Sequence, residues 1–311
     1  MKSIATITLN PTIDKSASID HVVPERKLRC GVPRYEPGGG GLNVSRAVRQ
    51  LGGESKAVYL SGGLQGKRLQ RLLDEEGLDH HPVEITEWTR ENLIVYEENT
   101  RQQYRFGMPG PEVTEKEWQG VLDALSGADN KPDFLVASGS LPPGIPEDFY
   151  ARMAAKCKEE GIKFILDTSG KPLREGVEEG VYLLKPNVDE LKALAGQPDF
   201  DDEAHLEEQA RGLIRDGKNE VVVISLGAAG AMLVWGDECR RLRAPTVSIK
   251  SKVGAGDSMV AGIVLSLARG QSIPEAAKFG VAAGAAAVMT PGTELCRRDD
   301  TEQLYERIKA E

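Results

Sequence analysis

Val253-Gly254-Ala255-Gly256-Asp257-Ser258-Met259 reads as a glycine-bearing turn that runs into an Ala-, Val- and Leu-rich stretch with no proline before Pro274. A turn opening onto a helix presents several free main-chain N–H groups, and the helix end adds partial positive charge there. Gly254, Ala255 and Gly256 therefore offer a place for a phosphoryl group in transfer. Asp257, beside them, is placed to take a proton from an attacking hydroxyl. Asp ahead of a helix is also a common N-cap, so the surrounding chain has to decide between the two readings.

Upstream of that turn, short β-branched runs alternate with longer amphipathic stretches. Strands are expected at Ile4–Leu9, Lys56–Leu60, Phe134–Ser138, Phe164–Asp167, Tyr182–Lys185 and Val221–Leu226, with a hairpin over Ala231–Trp235 and Arg240–Leu242. Helices are expected at Leu42–Leu51, Lys67–Glu76, Phe149–Glu159, Glu190–Ala195 and Glu203–Arg215. Two Ala-rich helices, Ala255–Arg269 and Pro274–Val288, close the series. This alternation predicts an α/β fold, a mostly parallel central sheet covered by helices on both faces. Ser16–Tyr35 and Asn92–Met108 break the rhythm. Loops that long usually carry a function, and together they are expected to form a small β-sheet lid, spanning about 14–36 and 88–108 of one domain covering 1–311. Val22, Val23, Leu93, Val95 and Phe106 on it call for cover, for which a second subunit is the natural source.

At 311 residues the chain can bury a large core, and 40% hydrophobic with 28% charged residues is ordinary for a globular protein. No apolar run is long enough to span a membrane, and Asn10-Pro11 follows the N-terminus too soon for a signal peptide. Cytoplasm is the expected location. The four cysteines form no C-x-x-C pair and the four histidines show no ligand spacing. A net charge of −9 without a dense basic block argues against a nucleic-acid partner. Ser61-Gly62-Gly63-Leu64-Gln65-Gly66-Lys67-Arg68 lacks the P-loop's first glycine and its hydroxyl after the lysine. Neither a dinucleotide fingerprint nor a nucleophile elbow is present.

Polar clusters fall instead at successive strand ends, where open α/β sheets bind ligands. Asp14 follows the first strand, and Gly38-Gly39-Gly40-Gly41-Leu42-Asn43 opens the next helix. The glycines let backbone approach a small polar ligand, while Asp14 and Asn43 suit hydroxyl groups. Ser138-Gly139-Ser140 ends another strand with two hydroxyls. Lys185-Pro186-Asn187-Val188-Asp189-Glu190 offers Lys185 to phosphate, and Asn187 and Glu190, one helical turn apart, to magnesium through water. Ser225-Leu226-Gly227 ends the next strand. A glycine run can be a plain turn and Asn-x-x-Glu can simply cap a helix; the joint placement of all five clusters favours function.

Gly254-Ala255-Gly256-Asp257, Gly38–Asn43 and Asn187-x-x-Glu190 together resemble the ribokinase-like carbohydrate kinases of the phosphofructokinase B type, over essentially the whole chain. The resemblance implies a three-layer αβα sandwich and transfer of the ATP γ-phosphoryl group to the 1-hydroxyl of fructose 6-phosphate. Tagatose 6-phosphate and fructose 1-phosphate are the competing substrates, and a catalytically silent sugar-phosphate sensor is the alternative of another class. Asp257 then acts as base, Gly254, Ala255 and Gly256 donate to the phosphoryl group, and Asp14, Gly39, Asn43 and Ser140 orient the sugar. Many relatives carry Lys where Gly40 stands here, so the clamp on the sugar phosphate passes to Arg29 and Arg90, with Lys27 able to meet either substrate. Lys185, Asn187, Ser225 and Gly227 line the nucleotide, with the helix bearing Gly284 at the adenine. The resemblance also implies Mg2+ near Asn187 and Glu190, a monovalent cation such as K+ near Ser251 and Val253, and a homodimer formed through the lids. Thr290 and Glu294 depart from the family's pattern at the monovalent cation site.

Overall fold

Val221-Val222-Val223-Ile224 leaves a strand no polar side, so both of its faces must be covered. Val221 and Val223 pack among residues of Ala255–Ala268 (α8) and Ile273–Ala287 (α9). Val222 and Ile224 pack against Leu191 of Val188–Ala195 (α6) and Leu206 and Ala210 of Glu203–Arg215 (α7). The same division recurs along the sheet, which is how a parallel sheet becomes the middle of three layers. The computed structural model describes residues 1–125, 131–196 and 202–310.

The large sheet has nine strands in the order β13-β12-β11-β10-β9-β8-β1-β4-β5. They are Ile4–Thr8 (β1), Lys56–Ser61 (β4), Asp79–Glu84 (β5), Phe134–Ser138 (β8), Lys163–Asp167 (β9), Leu183–Leu184 (β10), Val221–Ser225 (β11), Ala231–Trp235 (β12) and Glu238–Leu242 (β13). All pairings are parallel except β11–β12 and β12–β13. Gly40–Gln50 (α1), α8 and α9 bury one face together with Arg298–Ala310 (α10), and Gly63–Glu75 (α2) lies on the same side beside Tyr59. Glu115–Ala124 (α3), Phe149–Glu160 (α4) and Gly170–Glu179 (α5) cover the other. Leaving β1, the chain first builds β4 and β5 on one side and then returns to build β8 on the other. The topological switch point therefore lies between β1 and β8, the place where ligands bind in such sheets.

The expected lid is a separate four-stranded sheet, β3-β2-β6-β7, made of Thr12–Ile19 (β2), Arg34–Gly38 (β3), Arg90–Glu97 (β6) and Gln102–Phe106 (β7). Its central pair, β2 and β6, runs parallel from Thr12 opposite Arg90 to Ile19 opposite Glu97. The bottom of the lid thus enters the switch point directly. Among the described residues no helix is long and apolar enough to cross a membrane.

Candidate active site

Gly254 is the N-cap of α8, with φ of 73°, and the Leu295 side chain fills the space where its Cβ would stand. A residue with a side chain would carry both left-handed strain and a clash. The turn sets Asp257 in the first helical turn, half-buried, where its carboxylate accepts from Asn43 Nδ2 at 2.9 Å and Ser138 Oγ at 3.4 Å. Burial, then repulsion from Asp167, raises its pKa to about 6, against the opposing pull of Asn43, Lys185 and Ser138. Such a group is ionised at neutral pH yet still a usable base.

Asn43 comes from α1, whose N-terminus is pressed against the end of β8. A Cβ at Gly40 would run into Ser138 Oγ and the Gly139 backbone. That contact lets the α1 backbone and Ser138 meet over Asp257, and it explains physically why glycine stands at this position.

Asp14, on β2, is buried and accepts from Asn92 Nδ2 at 3.1 Å, and burial raises its pKa. Arg90, the first residue of β6, donates Nη1 to the Met108 carbonyl at 2.8 Å and Nη2 to the Asn10 carbonyl at 2.9 Å. Its buried Nε has no partner among the described residues, and burial lowers its pKa against the pull of Asp14. Ser140 Oγ accepts from Asn10 Nδ2 at 3.2 Å. Asp14, Gly39, Gly40, Asn43, Arg90, Ser140, Val253, Gly254 and Asp257 all line one cleft of about 330 Å³, within the range of small-molecule sites.

Lys27 and Arg29 do not line that cleft. They are exposed on the loop between β2 and β3, and the second cation in the wall is Arg105 of β7. Within the single chain Arg90 and Arg105 line the cleft together, and Lys27 and Arg29 lie outside it. Arg105 was missed because β7, Gln102–Phe106, is short, and only its alternation signals which side chains face inward.

Lys185 is 6% exposed and lies 3.1 Å from Asp167 Oδ1. Burial works against its charge, and the carboxylates of Asp167, Glu190 and Asp257 together more than offset it, so its pKa is raised. Asp167 and Glu190 both line the cleft with Asp257, and Asp167, unmarked in the sequence reading, ends β9 much as the serines end β8. Asn187 and Glu190 form a capping box on α6: Glu190 N donates to Asn187 Oδ1 at 2.8 Å and Asn187 N to Glu190 Oε2 at 2.9 Å. Glu190 therefore caps α6 and also lines the cleft. Among the described residues no three His, Cys, Asp or Glu groups form a metal cage.

Ser225 lies beside Asn187 through a parallel bridge, and Gly227 follows at an open turn. Gly284 is buried in the α8–α9 contact, against the Ala255 carbonyl and Met259, rather than in the cleft around Asp257. Ser251 donates its hydroxyl to the Gly292 carbonyl at 2.9 Å and accepts from Val253 N at 3.2 Å. Thr290 spends its own hydroxyl on the Ala287 and Leu295 carbonyls. Ser251 and Val253 thus sit against a carbonyl-bearing loop directly under the turn.

A turn of free N–H groups, a base beside it and two arginines in the wall of the same cleft suit a phosphoryl group moving between two bound molecules. Fold and cleft define a kinase with the ribokinase-like architecture, and a ribokinase from Thermotoga maritima shares that fold with a TM-score of 0.78. The pfkB family carbohydrate kinases match residues 5–300. The ATP-dependent 6-phosphofructokinase isozyme 2 of Mycobacterium tuberculosis is 45% identical over 303 residues, covering 97% of this chain and 89% of the relative. The enzyme of the same name from Escherichia coli is 41% identical over 314 residues, covering 98% of each. Crystal structures of Escherichia coli phosphofructokinase-2 superpose with TM-scores of 0.95 for a potassium complex and 0.92 for a fructose 6-phosphate complex. Each is 39% identical and covers 99% of this chain and 100% of the other. The chain belongs to the pfkB family of carbohydrate kinases and is a phosphotransferase.

Proposed function

We propose that the chain transfers the γ-phosphoryl group of ATP to the 1-hydroxyl of fructose 6-phosphate, giving fructose 1,6-bisphosphate and ADP. The observation that carries this reading is the layout of one cleft. A base at a helix N-terminus, Asp257, and two cations, Arg90 and Arg105, line the same cleft. The names of the M. tuberculosis and E. coli relatives support the same acceptor.

Asp257 takes the proton of the 1-hydroxyl as its oxygen bonds to the γ-phosphorus. The bond from that phosphorus to the β–γ bridging oxygen breaks, and ADP leaves with the electron pair. The N–H groups of Gly254, Ala255 and Gly256 receive the charge that builds on the phosphoryl oxygens; one such donor is worth about 3 kcal/mol of barrier. Asp14, Gly39, Asn43 and Ser140 orient the sugar, and Arg90 and Arg105 hold its 6-phosphate through charge-assisted, two-point hydrogen bonds. Lys27 and Arg29 join that clamp only through movement of the lid or from the lid of a second copy.

On the nucleotide side, Lys185, Asn187, Ser225 and Gly227 line the phosphates and ribose, and Gly284 shapes the α9 surface bordering the adenine. Glu190 and Asn187 would hold Mg2+ through water, where it would supply charge neutralisation for the phosphates. Ser251 and Val253 with the facing carbonyl loop suit K+, in keeping with the potassium complex of the E. coli relative. Residues 1–311 make one kinase domain with the lid at about 14–36 and 88–108, working as a homodimer through the lids.

The test is a coupled assay of ADP release with Mg-ATP against fructose 6-phosphate, fructose 1-phosphate, tagatose 6-phosphate and fructose. Strong preference for fructose 6-phosphate is expected. Preference for fructose 1-phosphate would overturn the placing of the arginines while leaving the kinase intact.

A further inference from the structure

Arg46 carries a permanent charge, is only 3% exposed and does not line the cleft. Its guanidinium is nonetheless fully engaged. Nε and Nη2 meet the two oxygens of Glu76 at 2.7 Å each, and Nη1 reaches the Pro37 carbonyl at 3.0 Å, the Thr293 carbonyl at 3.2 Å and Asn43 Oδ1 at 3.4 Å. Asn43 and Arg46 lie three apart on α1, so their side chains share one helix face. The same Asn43 amide gives its nitrogen to Asp257 Oδ2 at 2.9 Å.

The two ends of an amide are chemically opposite. Arginine can only donate and a carboxylate can only accept. Arg46 at the oxygen end and Asp257 at the nitrogen end therefore agree on a single orientation for Asn43. Without Arg46 only Asp257 selects that orientation, since turning over would put oxygen against oxygen, and the amide is then held at one end instead of two. We infer that Arg46 is a positioning residue for phosphoryl transfer: it locks the Asn43 amide so that it donates to Asp257, and ties it to the lid root at Pro37 and to the loop at Thr293. The inference rests on the reading of Asp257 as base.

A plain structural role for the Arg46–Glu76 pair would cost stability but would leave the base's titration alone. The groups facing Asp257 are Asn43, Ser138, Asp167 and Lys185, and donation from Asn43 is one of the interactions holding its pKa down. Loss of the locked amide therefore moves the acid limb of kcat/KM to higher pH.

The experiment is a double-mutant cycle on the full-length chain, with Arg46→Met and Asn43→Ala made singly and together. Glu76 is kept in all variants, because at 32% exposure water can solvate its carboxylate once Arg46 is gone, whereas removing Glu76 would leave the buried Arg46 charge unpaired in the reference. Arg46→Met is expected to lower kcat about ten-fold, as loss of an orienting partner does, and to displace the acid limb upward. In the Asn43→Ala background it should cost no more than about two-fold, the scatter of independent sites. Equal losses in both backgrounds, or an unmoved acid limb, overturn the inference. Should Arg46→Met fail to give a cooperative thermal transition, Arg46→Lys keeps the charge without the planar fork and is read by the same two criteria. Asp257→Asn is measured alongside. If it keeps turnover, the base reading fails and takes this inference with it; if it is inactive while the cycle is additive, only the role of Arg46 falls.

Discussion

Asp257 is a carboxylate held above its ordinary range by burial and by Asp167, with Lys185, Asn43 and Ser138 restraining the rise. Its value of about 6 fixes the sign of the pH response. The base must be ionised to accept the proton, so turnover is present above that pH and is lost as pH falls through it. The logarithm of kcat/KM plotted against pH should bend near that point, and a flat profile down to pH near 4, where an unperturbed Asp titrates, would remove the raised base. Asp257→Asn keeps the shape and one hydrogen-bonding oxygen but cannot take the proton. A fall in kcat of at least about a hundred-fold is expected, with fructose 6-phosphate affinity by calorimetry within a few-fold of wild type. Near-normal turnover would refute the assignment. Arg90 belongs to the other substrate. Two of its N–H groups are pinned by the Asn10 and Met108 carbonyls, which orients the fork before ligand arrives. A charge-assisted hydrogen bond is worth about 1.5–3 kcal/mol, so Arg90→Ala should raise KM for the sugar phosphate by about ten-fold or more. KM for ATP should stay within about two-fold. Equal effects on both constants would show that Arg90 acts on the cleft as a whole.

The first turn of α6 carries two demands on the same pair of side chains. Asn187 and Glu190 cap each other, and Glu190 also faces the cleft. Burial raises the Glu190 pKa, against the pull of its hydrogen bond with the Asn187 backbone. Gln serves as well as Glu in a capping box but brings no charge to a cation. Glu190→Gln should therefore leave the thermal midpoint nearly unchanged while raising the Mg2+ concentration needed for half-maximal rate; a lowered midpoint with unchanged Mg2+ demand would make it a cap and nothing more. Legibility also belongs to elements. The Ala-rich helices and the buried strands were readable because each repeats one pattern over many residues, and the lid because two long segments interrupt that pattern. β5 was not: Asp79-His80-His81-Pro82 looks like a turn, yet an edge strand tolerates proline, and His80 packs its ring nitrogen 3.0 Å from Tyr59 OH. α10 was missed because only Thr301, Leu304 and Ile308 of it are buried, too few to stand out among its charges. Within the site, motifs marked Asp257, Asn43 and Asp14 because glycines or strand ends announced them. Arg105 and Asp167 had no such herald, and Lys27 and Arg29 stand on a loop whose course the sequence does not set.

At the scale of the whole molecule the lid is the unresolved balance. Tyr96 is 40%, Phe106 48% and Met108 46% exposed, and Val23 and Leu28 on the neighbouring loop are similar. Single exposed apolar residues need no explanation, but a cluster on one small sheet does. Burying each such side chain is worth about 1.5–3 kcal/mol, and a two-fold interface counts every contact twice. Lid against lid would also place the 20–33 loop of one copy near the other copy's cleft, the arrangement in which Lys27 and Arg29 could serve a phosphate. Light scattering at micromolar concentration should give a dimer for the wild-type chain. Phe106→Glu, which sets like charges face to face across the axis, should give a folded monomer with KM for fructose 6-phosphate raised well beyond that for ATP. Phe106 pairs with Leu93 and shares its face with Val95, whereas Tyr96 shares the face of Ile94 and Arg105. Tyr96→Glu on β6 is therefore the probe of the opposite face, and the substitution that gives the monomer shows which face makes the contact. A wild-type chain that is monomeric at full turnover would refute the lid interface. Dimerisation untouched by both substitutions would place the contact elsewhere on the molecule.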